Sequence, residues 1–229
     1  MNLFLFNLKG HSEEIYYSDI MSLIITKIEF MKTLLNVGCG YSNKSQLKGF
    51  DNDNWNEIRF DIDEDVNPDI VGTLTDMSLV ETASIDAIYS AYNLDHIYAH
   101  EVPIALKEFY RVLNEDGFAL VRCPDIQTMG ELIAKDKYLE ILYQSQIGPI
   151  YPIDVIYGHR GEIEAGNEYM AKKCGFTYSA LDASFSVAGF KARYGGRLPT
   201  NGGELGMVAF KQEKSEEEIK KIADPVFPY

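Results

Sequence analysis

Cysteine is scarce in this sequence: 229 residues contain only Cys39, Cys123 and Cys174. Three cysteines are an odd number, and their wide separation lacks the paired spacing of a zinc site or a disulfide framework. The sequence therefore predicts no metal site and no disulfide framework. A reducing, cytoplasmic location is the expectation that follows.

Basic clusters and long apolar runs are also missing. The 35 acidic residues outnumber the 21 basic ones, which gives a formal charge of −14. Such an excess repels nucleic-acid phosphates and anionic membranes, and no local group of Lys or Arg offsets it. A membrane-spanning helix needs roughly 20 apolar residues, and no run approaches that length. The sequence predicts neither nucleic acid nor a membrane as a partner.

The pattern from Thr33 onward alternates strand-like and helix-like segments, in a chain whose 46% hydrophobic content suffices for a full core. This alternation predicts an α/β domain with an open, mostly parallel sheet and helices on both faces. The clearest helix is Pro103–Leu113, with Pro in its first turn and an apolar stripe. The predicted strands are Thr33–Val37, Glu57–Ile62, Ile70–Leu74, Ile85–Ala91 and Phe118–Cys123.

The first two strand connections are poor helix formers. "YSNKSQLKGFDNDNWNE" has little helical periodicity, and "DEDVNPD" is shorter than the dozen residues that a parallel crossover normally needs. We expect short helices or none there.

At the N-terminus, the pattern of residues 12–30 predicts an amphipathic helix. In an alternative interpretation, Met31 is the natural start. The predicted organisation is an N-terminal extension or helix at 1–31, a domain at 32–213 and a charged tail at 214–229.

Two glycines lie directly after the first strand, in "KTLLNVGCGYSNKSQL". Gly38 and Gly40 lie where open α/β sheets bind ligands, beyond the carboxyl end of a strand. A glycine permits positive φ and close approach of the backbone to a ligand, although a tight turn is an equally simple reason. The third glycine of the dinucleotide fingerprint would fall at Asn43, which disfavours a pyrophosphate ligand.

An acidic residue ends the second strand, in "EIRFDID". Asp61 stands where a cofactor site of this type places a carboxylate that accepts hydrogen bonds from ribose hydroxyls. Asp63 and Asp65 are close enough to leave the assignment open, and all three are compatible with solvated loop acids. The spacing favours a ribose-containing ligand.

Residues 33–125 resemble class I S-adenosylmethionine-dependent methyltransferases in five motifs and their spacing. In order, these are "NVGCG", "RFDID", "LTDM", "DAIYSAYNLDHI" and "EFYRVLNEDGFALVRCPD". The resemblance implies a seven-stranded Rossmann-like sheet whose last strand is antiparallel. It also implies S-adenosylmethionine as cofactor. The implied cofactor site comprises Val37, Gly38, Cys39 and Gly40 beside the methionine, Asp61 and Ile62 at the ribose, Asp76 and Met77 at the adenine, and Ala91 and Tyr92 closing the methionine side.

The segment 126–176 is expected to cover the acceptor, beginning with an amphipathic helix over residues 126–145. Its pieces "YGH" and "CGFT" resemble bacterial predicted methyltransferases of undefined acceptor, whereas Lys172 replaces the His of their "MAHK". Tyr157 and His159 are the predicted catalytic residues, with His159 taking a proton from the acceptor. The alternative is that Tyr157 only packs on the cover and that His159 is simply exposed.

One competing signal is the pair His96 and His100, four residues apart as in some zinc sites. It lacks a third ligand, so a helix start is the simpler interpretation.

The sequence as a whole predicts methyl transfer to a small-molecule acceptor, such as a sugar or metabolite hydroxyl or amine. The alternatives are a nucleotide-dependent oxidoreductase and a noncatalytic cofactor-binding partner protein. Oligomeric state is not predicted.

Overall fold

A seven-stranded sheet organises the computed structural model, which describes residues 31–145 and 147–227. The helix expected at 12–30 lies outside these residues. Its strands are β1 (Lys32–Val37), β2 (Trp55–Asp61), β3 (Ile70–Val71), β4 (Ile85–Ala91), β5 (Leu113–Pro124), β8 (Ala192–Leu198) and β9 (Glu204–Phe210). In space they follow the order β3-β2-β1-β4-β5-β9-β8, and β9 runs in the opposite direction to the other six.

Helices cover both faces of this sheet, so the predicted fold class is confirmed. The helices are α1 (Val102–Val112), α2 (Ile126–Ile133), α3 (Pro152–Tyr157), α4 (Arg160–Glu164), α5 (Tyr178–Ala188) and α6 (Glu216–Ala223). On one face, α1 and α5 pack against each other and contribute Phe109 and Phe185 to a buried cluster, the first core. On the other, residues from α6, from the loop after β1 and from the sheet form the second core, which includes Phe50, Phe118 and Phe227. Among the described residues, no helix has the length and apolar character to span a membrane.

The first two connections contain only short 3₁₀ turns, Lys44–Gln46 and Glu64–Val66, as expected from their sequence. In the absence of longer helices, three side chains of β2 hold these connecting loops in place. Glu57, Arg59 and Asp61 are two residues apart, and alternate residues of a strand share one face. Glu57 accepts from the Lys44 N–H at 2.8 Å, Arg59 donates to Asn67 in the loop after β2, and Asp61 accepts from Gly40 in the loop after β1.

The helix predicted over residues 126–145 is wrong beyond Ile133. Asp136 has φ 58°, a left-handed conformation that ends a helical path. Leu139, expected on the apolar face, is 64% exposed. The chain then forms a two-stranded sheet of β6 (Tyr143–Ser145) and β7 (Gly148–Ile150).

The charged C-terminal segment forms an ordered helix. Ser215 caps α6 through a reciprocal pair of hydrogen bonds with Glu218, a capping box. Ala223 and Phe227 are buried against the sheet, so this segment contributes to the second core while its charges face solvent.

Helix α5 offers a matched test of the first core. Phe185 is fully buried and Val187 is 73% exposed on the same helix. We expect Phe185→Ala to lower the free energy of unfolding by about 3–5 kcal/mol through lost burial and a cavity. Val187→Ala should change it by less than about 0.5 kcal/mol. Urea unfolding measures both, and equal effects would contradict this account of the core.

Candidate functional site

A cavity of about 1190 Å³ opens at the carboxyl edge of the parallel strands. The cavity is lined by the loops after β1, β2 and β4, and by residues 143–145 and 147–173, called the cover below. The loop between β8 and β9 contributes residues 200–204. The position is the one that the sheet topology predicts for a ligand.

The loop after β1 is shaped by an amide side chain. Gly38 has φ 65°, and a Cβ there would overlap the side-chain amide of Asn93. The Asn93 Nδ2 group donates to the carbonyls of Val37 at 2.9 Å and Ala91 at 3.0 Å, which ties the ends of β1 and β4 together. Gly38 is therefore required by its own backbone and by Asn93, whereas Gly40, at φ 51°, has open space around it.

The Asp61 carboxylate joins two loops. Its Oδ2 accepts from the Gly40 N–H at 2.8 Å, and its Oδ1 accepts from the Asp63 N–H at 3.0 Å. Each carboxylate oxygen has a further lone pair, so both can accept another hydrogen bond. Asp61 is 9% exposed and lines the cavity. It can thus order the site and still bind a hydroxyl-bearing ligand.

Arg59 holds the same two loops by their carbonyls. Its guanidinium donates to Ser42 and Gly40 after β1, and to Val66 and Asn67 after β2. Arginine suits this role because its donors diverge in one rigid plane. Sequence reasoning missed Arg59; its alternation with Glu57 and Asp61 was the available signal.

Most of the predicted cofactor residues share the cavity. Cys39 is an exception: it is buried beside the loop, and burial raises the pKa of its thiol to about 11. This agrees with a small filler rather than a nucleophile. The predicted residues that line the cavity are Val37, Gly38, Gly40, Asp61, Ile62, Ala91 and Tyr92.

Asp76 and Met77, expected at the adenine, do not line the cavity. Asp76 is exposed, and a hydrogen bond from Ser78 lowers the pKa of its carboxyl group. Met77 is fully buried in the first core. Strand β3 ends at Val71, earlier than predicted, so the wall at this point is formed by Thr73 and Leu74 instead.

Only one of the two predicted catalytic residues lines the cavity. Tyr157 is 60% exposed and does not line the cavity, whereas His159 does. His159 precedes α4, and its Nδ1 accepts from the Glu162 N–H at 3.2 Å. Asp154 also faces the cavity: burial raises the pKa of its carboxyl group, but hydrogen bonds, led by that from Arg160, outweigh burial and lower it.

An ion pair between Arg122 and the buried Glu204 supports Tyr92. Its hydroxyl donates to Glu204 Oε1 at 2.8 Å, and Arg122 Nη2 lies 2.7 Å from Glu204 Oε2. Tyr92 has φ 59°, a strained conformation outside glycine, and this hydrogen bond helps to hold it. Burial, followed by the Glu204 charge, raises the pKa of the Tyr92 hydroxyl, so it stays protonated. Sequence reasoning did not find Glu204 or Arg122, because they lie on strands that are far apart in the sequence and adjacent only in the sheet.

His96 lines the cavity, and so does Lys172, which belongs to a second ion pair next to it. The Lys172 Nζ is 2.7 Å from Asp95 Oδ2, and Asp95 is 1% exposed. His100 instead stacks on Tyr98, with ring centroids 5.7 Å apart. Within residues 31–145 and 147–227, no group of three or more His, Cys, Asp or Glu side chains is arranged to hold a metal ion.

Residues 35–121 match the family model described as a methyltransferase domain. The chain contains a methyltransferase domain. Because this segment holds the glycine loop, Asp61 and the end of β4, the match confirms the predicted class I, S-adenosylmethionine-dependent methyltransferase. A search of curated proteins gives no match.

Solved structures show the same fold at low identity. The 1,6-didemethyltoxoflavin-N1-methyltransferase of Burkholderia thailandensis is 13% identical, with a TM-score of 0.52, over 84% of this chain and 76% of that one. A SAM-dependent methyltransferase of Methanosarcina mazei is 14% identical, with a TM-score of 0.52, over 83% and 98%. One from Archaeoglobus fulgidus is 10% identical, with a TM-score of 0.52, over 83% and 92%.

The two glycines of the methyltransferase loop should respond differently to alanine. Gly40→Ala adds a Cβ in open space and should cost about 1–2 kcal/mol for its left-handed backbone. Gly38→Ala has the same strain and also displaces Asn93, whose hydrogen bonds contribute about 1 kcal/mol each. Urea unfolding should therefore rank Gly38→Ala as more destabilising. The reverse order would contradict the role given to Asn93.

Proposed function

We propose that this enzyme transfers the methyl group of S-adenosylmethionine to a hydroxyl or amine of a small molecule, such as a sugar or another metabolite. The supporting observation is that one cavity is lined both by the Gly38–Gly40 loop with Asp61 and by the cover. The Burkholderia enzyme was solved with bound 1,6-didemethyltoxoflavin and S-adenosylhomocysteine, which supports a small-molecule acceptor.

In this proposal the cofactor lies along the loops after the strands. The methionine moiety borders Gly38 and Gly40 and is closed in by Ala91 and Tyr92. Asp61 would hold the ribose hydroxyls through its free lone pairs, and Ile62, Thr73 and Leu74 would line the space for the adenine. The adenine would then contact residues that precede Asp76 in the sequence, in agreement with the early end of β3.

The acceptor occupies the half of the cavity under the cover. Pockets for one ligand commonly measure about 300–1,000 Å³, and a cavity of about 1190 Å³ has room for a second molecule beside the cofactor. Tyr143, Asp154, His159 and Glu204 supply polar groups around that space. Because the sulfonium is an activated leaving group, alignment of the acceptor supplies much of the catalysis, up to about 7–11 kcal/mol.

Calorimetry with four ligands tests the cofactor, and labelled S-adenosylmethionine with a panel of hydroxyl and amine compounds tests the reaction. We expect binding of S-adenosylmethionine and S-adenosylhomocysteine in preference to NAD and NADP. Preferential NAD binding would support the oxidoreductase alternative. Cofactor binding without label transfer to any small molecule would favour a noncatalytic partner protein.

Asp61→Ala should weaken S-adenosylmethionine binding by about 1.5–3 kcal/mol, the value expected for hydrogen bonds to a charged group. This corresponds to roughly 10- to 150-fold in Kd. Asp65→Ala is the matched control, since Asp65 is exposed outside the cavity. Titration calorimetry on both variants, with urea unfolding to separate binding from stability, decides the point. A larger effect at Asp65 would place the ribose elsewhere.

A further inference from the structure

The hydrogen bond at His159 fixes which of its nitrogens carries the proton. A backbone N–H can only donate, so Nδ1, which accepts from Glu162 at 3.2 Å, must keep its lone pair. The proton of the neutral ring is then on Nε2. His159 can donate from Nε2 to a ligand, but it can accept a proton only by giving up this hydrogen bond at the start of α4.

His96 has the opposite arrangement. Its Nδ1 lies 3.2 Å from the carbonyl oxygen of Ala171, in the cover. A carbonyl only accepts, so this contact favours the tautomer that has its proton on Nδ1 and the lone pair of the neutral ring on Nε2. His96 also lines the cavity. Of these two histidines, His96 is the one whose ring lone pair accepts no hydrogen bond from the backbone; Asp95 Oδ2 lies 3.8 Å from that nitrogen.

The surroundings of His96 suit a ring that is neutral before the reaction and becomes protonated during it. Burial lowers the pKa of its ring, while Asp95, 3.8 Å from Nε2, and the carbonyls of Ala171 and Tyr169 favour the charged form. Lys172 lies against the same Asp95 carboxylate and opposes that effect. The neighbouring thiols of Cys123 and Cys174 are neutral, because burial raises their pKa.

We propose that His96, rather than His159, is the general base of the methyl transfer, an inference that rests on the proposed function. The acceptor oxygen or nitrogen attacks the methyl carbon with its lone pair. The carbon–sulfur bond breaks, and its electron pair stays on sulfur in S-adenosylhomocysteine. Nε2 of His96 takes the acceptor proton and later releases it to water, while His159 orients the acceptor by donating from Nε2.

Nitrogen NMR of the S-adenosylhomocysteine complex tests the proton positions without an acceptor. In protein labelled with ¹⁵N-histidine, His96→Gln and His159→Asn assign the two rings. We expect a proton on Nδ1 of His96 and on Nε2 of His159 above pH 7. A proton on Nε2 of His96, or on Nδ1 of His159, overturns the proposal.

The pH dependence of turnover provides the second test, with the panel acceptor that takes most label. The wild-type kcat/KM should fall as the pH drops below about 6.5, because the pKa of His96 is lowered from that ordinary value. His96→Gln should reduce kcat by about 10²- to 10⁴-fold at pH 7, lack this acid limb and regain rate as the pH rises.

The control variants separate this role from general damage. His159→Asn retains a side-chain oxygen for the Glu162 N–H and should keep the acid limb, and His100→Asn, at an exposed position, should match the wild type. Loss of the limb in His159→Asn, or full activity of His96→Gln, overturns the proposal. If no acceptor takes label, the proposed function fails instead, and the NMR result still decides the assignment of protons.

Discussion

One polar face of β2 holds the cofactor side of the cavity together. Glu57, Arg59 and Asp61 project to the same side, and each binds backbone groups of the adjoining loops. Those loops contain only 3₁₀ turns, so they lack the helix packing that usually fixes such connections. Because Asp61 accepts from Gly40 on one side and Asp63 on the other, the position of each loop depends on this carboxylate.

Local sequence patterns predicted the sheet well. Buried parallel strands appear as short apolar runs between polar residues, and β4 was predicted with its observed bounds, Ile85–Ala91. Residues at or directly after the end of a strand are positioned by that strand, which is why Gly38, Asp61 and Tyr92, predicted at the cofactor, all line the cavity. Asp76 was misplaced because the two-residue β3 gave no clear end, and the helix over 126–145 was overextended because its apolar spacing continued after the backbone turned.

The parts that could not be predicted depend on contacts between distant residues. Asn93 reaches back to Val37, and Glu204 meets Arg122 and Tyr92 only because β9 inserts beside β5. Neither spacing nor composition reveals such pairs. The same limit applied to the histidines: His159 stood out by its motif, whereas the proton positions depend on Glu162 and Ala171 as the fold brings them together.

The Asp95–Lys172 pair has a consequence for how this enzyme can diverge. Asp95 is 1% exposed and Lys172 is 11% exposed, so loss of either side chain leaves a nearly buried charge without its partner. Breaking a buried pair commonly costs about 3–5 kcal/mol, whereas replacing both members by apolar groups is often neutral. The two positions are thus constrained to evolve jointly, and an apolar residue in place of Lys172 would need a compensating change at Asp95.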